Sequence, residues 1–118
     1  MENKFYTGDY RTDSPEHRGW FVGTFMDDLR KTDLLEIKYV KGEISSHPKK
    51  RSRTLEVTIV FTGTLGGEVG GQKVSLKAGE YVVIPPGVEN NLDEASPDYQ
   101  GFTIKAPSDP SAKIVLGE

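Results

Sequence analysis

No window of this chain sustains a 3.6-residue apolar period for three turns, so a long amphipathic helix is excluded as its organising element. The apolar segments are short and rich in β-branched and aromatic residues: Trp20–Met26, Leu34–Val40, Leu55–Phe61, Lys73–Leu76, Tyr81–Ile84, Phe102–Lys105 and Ile114–Leu116. Turn signals separate them, among them Lys41-Gly42, Thr62-Gly63, Gly66-Gly67, Gly70-Gly71, Ala78-Gly79, Pro85-Pro86-Gly87 and Ser96-Pro97-Asp98. The 13 glycines and 7 prolines that supply this punctuation are spread along the whole chain. Evenly spaced short strands with frequent turns predict an all-β sandwich or barrel.

Two segments say more about what such a fold encloses. In Leu55–Phe61, alternation puts Glu56, Thr58 and Val60 on one face and Leu55, Val57, Ile59 and Phe61 on the other. The second face is apolar and needs covering by another sheet or a second subunit, so a homodimer is expected. The first face holds a lone carboxylate among small residues, which suits a partly polar cavity. In Leu34–Val40, Glu36 and Lys38 likewise alternate with Leu35, Ile37 and Tyr39. Polar residues alternating with an apolar set in neighbouring strands predict an interior that is also a site.

A length of 118 residues fits one domain and buries enough surface to fold without staples. The absence of cysteine excludes thiol nucleophiles, disulfide frameworks and cysteine-based zinc sites. With 15 basic and 18 acidic residues, the chain lacks the basic footprint of a nucleic-acid binder. No stretch reaches the ~18 apolar residues of a membrane span, and Met1–Phe5 has no signal-like apolar run. A soluble, cytoplasmic protein with no nucleic-acid or membrane partner is therefore expected. Residues 1–18 are polar and read as an N-terminal arm or an edge strand around Lys4-Phe5-Tyr6, with the main domain over 19–118.

The run Gly79-Glu80-Tyr81-Val82-Val83-Ile84-Pro85-Pro86-Gly87-Val88-Glu89-Asn90 resembles the second cupin motif, with Asn90 where that motif has histidine. Glu56 and Gly63 match the second half of the first cupin motif. Its first half is open to two registers. In one, Gly42 and His47 lead the motif, Lys49 takes the second histidine place, and two extra residues precede Glu56. In the other, Lys49 and Arg51 take both histidine places. Gly19-Trp20-Phe21-Val22-Gly23, Glu36-Ile37-Lys38, Arg53-Thr54-Leu55 and Lys105-Ala106-Pro107-Ser108 extend the likeness to small single-domain cupins of the RmlC-like jelly-roll superfamily, a subgroup with degenerate metal-binding motifs. The resemblance covers about Gly19 to Ser108. It implies a double-stranded β-helix, or jelly-roll barrel, and leaves activity open because the fold carries many functions.

Many cupins hold a divalent metal on three histidines and a glutamate. This chain has two histidines in all. Of these, His17 lies in a polar stretch, and Lys49 or Arg51 cannot ligate and would repel a cation. No cofactor is therefore expected. The basic run His47–Arg53 could hold a phosphate or carboxylate, with Lys50 read as solvated and Lys49, Arg51 and Arg53 as partly inward. Glu36, Lys38 and Glu56 form the best interior constellation, able to orient an anionic ligand or to serve as acid and base. The candidate ligand-binding set is thus Glu36, Lys38, His47, Lys49, Arg51, Glu56 and Asn90. The expected function is binding of a small anionic molecule without a tightly held metal. One alternative is a sugar or sugar-nucleotide isomerase or epimerase, with His47 as base and Lys38 or Tyr81 as acid. Another is a metal-dependent enzyme with a reduced ligand set, and a dimeric scaffold is a third. No Gly-x-Ser-x-Gly elbow supports serine hydrolysis.

Overall fold

The computed structural model describes residues 5–42, 48–109 and 113–115. Among the described residues, ten strands follow a short N-terminal helical segment: β1 (Trp20–Val22), β2 (Glu36–Lys41), β3 (Lys50–Ser52), β4 (Leu55–Thr62), β5 (Thr64–Val69), β6 (Gln72–Lys77), β7 (Tyr81–Ile84), β8 (Asn90–Ala95), β9 (Gln100–Ala106) and β10 (Lys113–Val115). They form two five-stranded antiparallel sheets, in the orders β1-β2-β9-β4-β7 and β10-β3-β8-β5-β6.

Two antiparallel sheets of jelly-roll type agree with the all-β expectation, but the expected closed barrel is not formed. Among the described residues each sheet keeps two free edges, and no ladder joins one sheet to the other. Closure needs edge strands long enough to sustain continuous pairing. Here β1, β3 and β10 have three residues each, and β3 meets β8 through the single pair Lys50–Asn90. The protein is an open two-sheet sandwich.

Its core lies between the sheets, where Val60 and Ile84 of the first meet Leu65, Leu76 and Leu92 of the second, with Tyr99 beside them. Gly101 makes room for Tyr99: a Cβ there would collide with the Tyr99 hydroxyl and lie 2.6 Å from the Ile59 carbonyl oxygen. Sheet two depends on Gly67 in a similar way. A Cβ at Gly67 would strike the Asn91 carbonyl and sit 2.9 Å from Leu92 Cα, so only glycine lets β5 approach β8 here. The pairing register shifts at this point, between Gly66 and Glu68.

Within residues 5–18 the N-terminal segment carries two short helical turns. Helix α1 (Tyr10–Asp13) starts at Asp9, whose side chain accepts from Arg11 N, and a 3₁₀ turn follows at Ser14–His17. Tyr10 packs against Tyr39 and Phe102 at ring-centroid distances of 4.7 and 5.0 Å, covering part of the outer face of sheet one.

Candidate functional site between the sheets

Strand alternation and register order the inner face of sheet one in rows. Glu36 pairs with Lys105 and Lys105 with Glu56; next come Lys38, Thr103 and Thr58; then Val40, Gly101 and Val60. The rows run from charged through hydroxylic to apolar. Sheet two faces them with Lys50, Asn90, Leu65 and Leu92, and Trp20 of β1 stands beside Lys38. Of these residues all but Glu36, Gly101 and Val60, together with Tyr99, line a cavity of about 390 Å³, a size typical of small-molecule sites.

Lys50 ties the two sheets together. Its Nζ donates to Glu56 Oε1 at 3.2 Å, and Lys105 Nζ lies 3.8 Å from the same oxygen. Glu56 is 4 % exposed, so this carboxylate is held between two ammonium groups in a largely dehydrated setting. The Trp20 ring has a lysine ammonium on each of two approaches, with Lys38 Nζ at 5.4 Å and Lys105 Nζ at 5.8 Å from its centroid. Burial pushes the Tyr99 phenol up to about 12.

The glycine–proline turn before β8 aims Asn90 inward, as its sequence suggests. Gly87 N donates to Ser52 O at 2.8 Å, which docks the turn on β3 and sets Asn90 opposite Lys50. Asn90 is 3 % exposed; its Nδ2 donates to Val88 O at 3.2 Å, and no protein group donates to its Oδ1.

Of the candidate residues, Lys38, Glu56 and Asn90 converge on this cavity. Glu36 shares their face but is engaged elsewhere, accepting from Ser108 Oγ at 3.1 Å, while Ser108 also bonds Thr24. That network fastens the segment after β1 to the end of β9. Lys49 pairs with Glu68 at 3.1 Å on the surface, and Arg51 is exposed. His47 lies outside the described residues. Tyr81, the alternative acid, faces outward and is 64 % exposed.

The reading of Lys50 as solvated is corrected: β3 alternation turns Lys50 and Ser52 inward and Arg51 outward. Trp20, Thr103 and Lys105 were also missed. Phe102–Lys105 carried the signal for two of them, since alternation alone sets Thr103 and Lys105 on one face.

Among the described residues no three His, Cys, Asp or Glu side chains gather as a metal site. Glu56, the one carboxylate in the described cavity wall, already has two ammonium neighbours, which would repel a cation. Among the described residues, no helix is long and apolar enough to cross a membrane.

No protein-family model and no curated protein matches the chain. Solved structures do. The EutQ protein of Clostridium difficile is 25% identical over 64% of this chain and 59% of its own, with a TM-score of 0.53. The DMSP lyase DddQ from Ruegeria pomeroyi is 16% identical over 75% and 47%, with a TM-score of 0.61. Streptomyces Pac13, a nucleoside dehydratase, is 13% identical over 78% and 72%, with a TM-score of 0.64. The chain thus spans about half to three fifths of the first two proteins. The likeness is general and picks out no RmlC-like or other subgroup. In its two-sheet fold, and in the glycine–proline pattern of Gly79–Gly87, the chain is similar to proteins of the cupin fold.

Proposed function

We propose that this protein binds a small anionic molecule in the cavity between its sheets, without a tightly held metal. One observation carries the reading: Lys38, Lys50 and Lys105 line a cavity wall in which Glu56 is the one carboxylate among the described residues. An anion entering such a wall gains charge-assisted hydrogen bonds in a site of reduced dielectric. Glu56 then acts as a positioning residue, spacing Lys50 and Lys105 around itself. The tethered Lys50 ammonium supplies positive charge beside Glu56, where a metal-dependent relative would rely on its ion. Pac13 has been solved with uridine, an instance of this fold taking up a small molecule.

The acid–base reading has narrower support. Lys38 lines the cavity, whereas Tyr81 does not. The expected homodimer is proposed on the apolar outer face of β4 and β7.

Trp20 is the only tryptophan and lines the cavity, so its fluorescence reports binding directly. Titration with a panel of small carboxylates and phosphates is expected to change its emission saturably. Lys50→Met should weaken that response on the order of tenfold, the size expected for one charged hydrogen bond. The reading fails if protein purified without chelators carries a stoichiometric divalent metal whose removal abolishes ligand binding.

A further inference from the structure

Strand β1 borders two cavities. Trp20 lines the one between the sheets, whereas Phe21 and Val22 line a second, of about 380 Å³. The N-terminal segment supplies Tyr6, Tyr10 and Asp13 to this second wall, and the β1–β2 loop supplies Leu29 and Arg30. Both contributions are anchored. Tyr10 packs among Phe21, Tyr39 and Phe102 of sheet one. Gly23 closes the loop, its N–H donating to Arg30 O at 3.1 Å and its carbonyl accepting from Thr32 N at 3.3 Å. Tyr6 and Leu29 nevertheless stay 44 % and 55 % exposed, apolar surface that folding alone leaves uncovered.

The two charged residues of the described wall are not equivalent. Arg30 is committed to Asp28, with Nε donating to Oδ1 at 3.0 Å and Nη2 to Oδ2 at 2.7 Å. Its guanidinium lies 4.8 Å from the Tyr6 ring centroid, so this ring already serves a cation whose charge Asp28 offsets. Asp13 differs: among the described residues it forms no ion pair. Its Oδ2 accepts from Asp9 N at 3.2 Å and its Oδ1 from Thr12 Oγ at 3.5 Å, and a carboxylate has room for about four donors. A Cβ at Gly8 would collide with Asp13 Oδ2 and lie 2.8 Å from Tyr6 Cε1. The missing side chain thus lets the carboxylate stand beside the ring edge, where Tyr6, Gly8 and Asp13 all line the cavity.

We propose that this second cavity binds a small primary ammonium ion carrying an aromatic or aliphatic group. The ammonium donates to Asp13, and the carbon part lies against Tyr6, Tyr10, Phe21 and Leu29. A carboxylate without a cationic partner supplies the charge, and the rings favour both the positive end and the apolar one. The site is separate from the anion cavity, since the two share no wall residue among those described.

The test titrates the full chain near pH 7 with phenethylammonium, 2-phenylethanol and phenylacetate, which share a ring and differ in charge. Calorimetry reads affinity, and the backbone amide signals of Gly8 and Arg30 in ¹⁵N-labelled protein read the place. Phenethylammonium is expected to bind about tenfold or more tighter than phenylethanol and to move both amide signals. Asp13→Asn keeps an acceptor but removes the charge, and should bring those two affinities within about twofold of each other. If that variant does not fold, the wild-type series decides alone. Equal binding of phenethylammonium and phenylethanol, or a preference for phenylacetate, would overturn the ammonium assignment. Amine-induced shifts at Trp20 in place of Gly8 and Arg30 would overturn the second site, as would the absence of any binding.

Discussion

The two faces of β4 invert the usual arrangement of a sheet. Inward, Glu56 and Thr58 are buried beside the cavity, and the face becomes apolar only at Val60. Outward, Leu55, Ile59 and Phe61 are 39 %, 37 % and 55 % exposed, flanked by Tyr81 and Val83 of β7. Elsewhere on that outer face, Tyr10 and its aromatic partners provide cover, so the bare apolar patch is confined to β4 and β7. Polar groups are placed where they are costly and apolar ones where they are unneeded for the core. Each face therefore points to something beyond folding: the inner one to a ligand, the outer one to a covering surface.

The largest effect separating the faces is expected from the inner carboxylate. Glu56→Gln leaves Lys50 and Lys105 facing each other without their shared counter-charge. Removing one partner of a buried ion pair costs about 3–5 kcal/mol. With the two lysine side chains 15% and 16% exposed, the low end applies. Phe61→Ser, at submicromolar concentration, should shift the urea midpoint by less than the equivalent of about 0.5 kcal/mol. A silent Glu56→Gln would mean that the inner face is solvated and the contrast unreal.

Packing sharpens the same contrast at a smaller scale. Val60 is 1 % exposed and Val83 49 %, on strands that pair directly. Val60→Ala is expected to cost about 2 kcal/mol through lost burial and an unfilled cavity, and Val83→Ala about 0.5 kcal/mol or less. Equal costs in urea unfolding would show that the outer face is as closely packed as the core.

For the outer face itself, light scattering at micromolar concentration should give a dimer. Phe61→Lys should weaken self-association on the order of tenfold, because a charge is then desolvated at the contact. Trp20-detected ligand binding should stay unchanged. A monomeric wild-type protein would remove the second copy as the covering surface.

The legible and illegible parts of the sequence divide along the same line. Leu55–Phe61 could be read as a two-faced strand because its alternation is strict, and Asn90 could be placed because the preceding glycine–proline turn has one dominant geometry. Strands β5 and β8 were not legible. Thr64–Val69 contains Gly66-Gly67, which reads as a turn, yet Gly67 is where two backbones come together. Asn90–Ala95 has Leu92 as its one large apolar residue, which faces the core, so it gives no apolar run. Closure was misjudged for a related reason. Local patterning finds strands, but whether a sheet closes depends on the length and pairing of its edges, and Lys50–Ser52 was hidden inside a basic run. The reversal between Lys50 and its neighbours Lys49 and Arg51 follows from that single missed strand, since its phase decides which cation enters the cavity.

The smallest effect concerns the apolar end of the inner face. Tyr99 is 1 % exposed, and burial raises its phenol from 10.0 to about 12. For an acid whose pKa is raised by folding, the contribution to stability is complete below the unfolded value and is lost as pH climbs towards the folded one. The loss should therefore begin near pH 10 and continue towards about 12, because the unfolded chain ionises there while the folded one does not. Tyr99 borders the cavity, where solvent screening reduces the effect, so the loss at about pH 10.5 stays below about 1 kcal/mol. Tyr99→Phe should flatten this alkaline limb in urea titrations between about pH 9 and pH 11. Because Gly101 already leaves space against the Tyr99 hydroxyl, the variant opens a small gap without forcing neighbours apart. Its cost at neutral pH is expected to be a constant offset that leaves the slope as the diagnostic. An unchanged alkaline slope in Tyr99→Phe would mean that Tyr99 ionises as freely folded as unfolded, and that the apolar row of the inner face is open to water like the outer one.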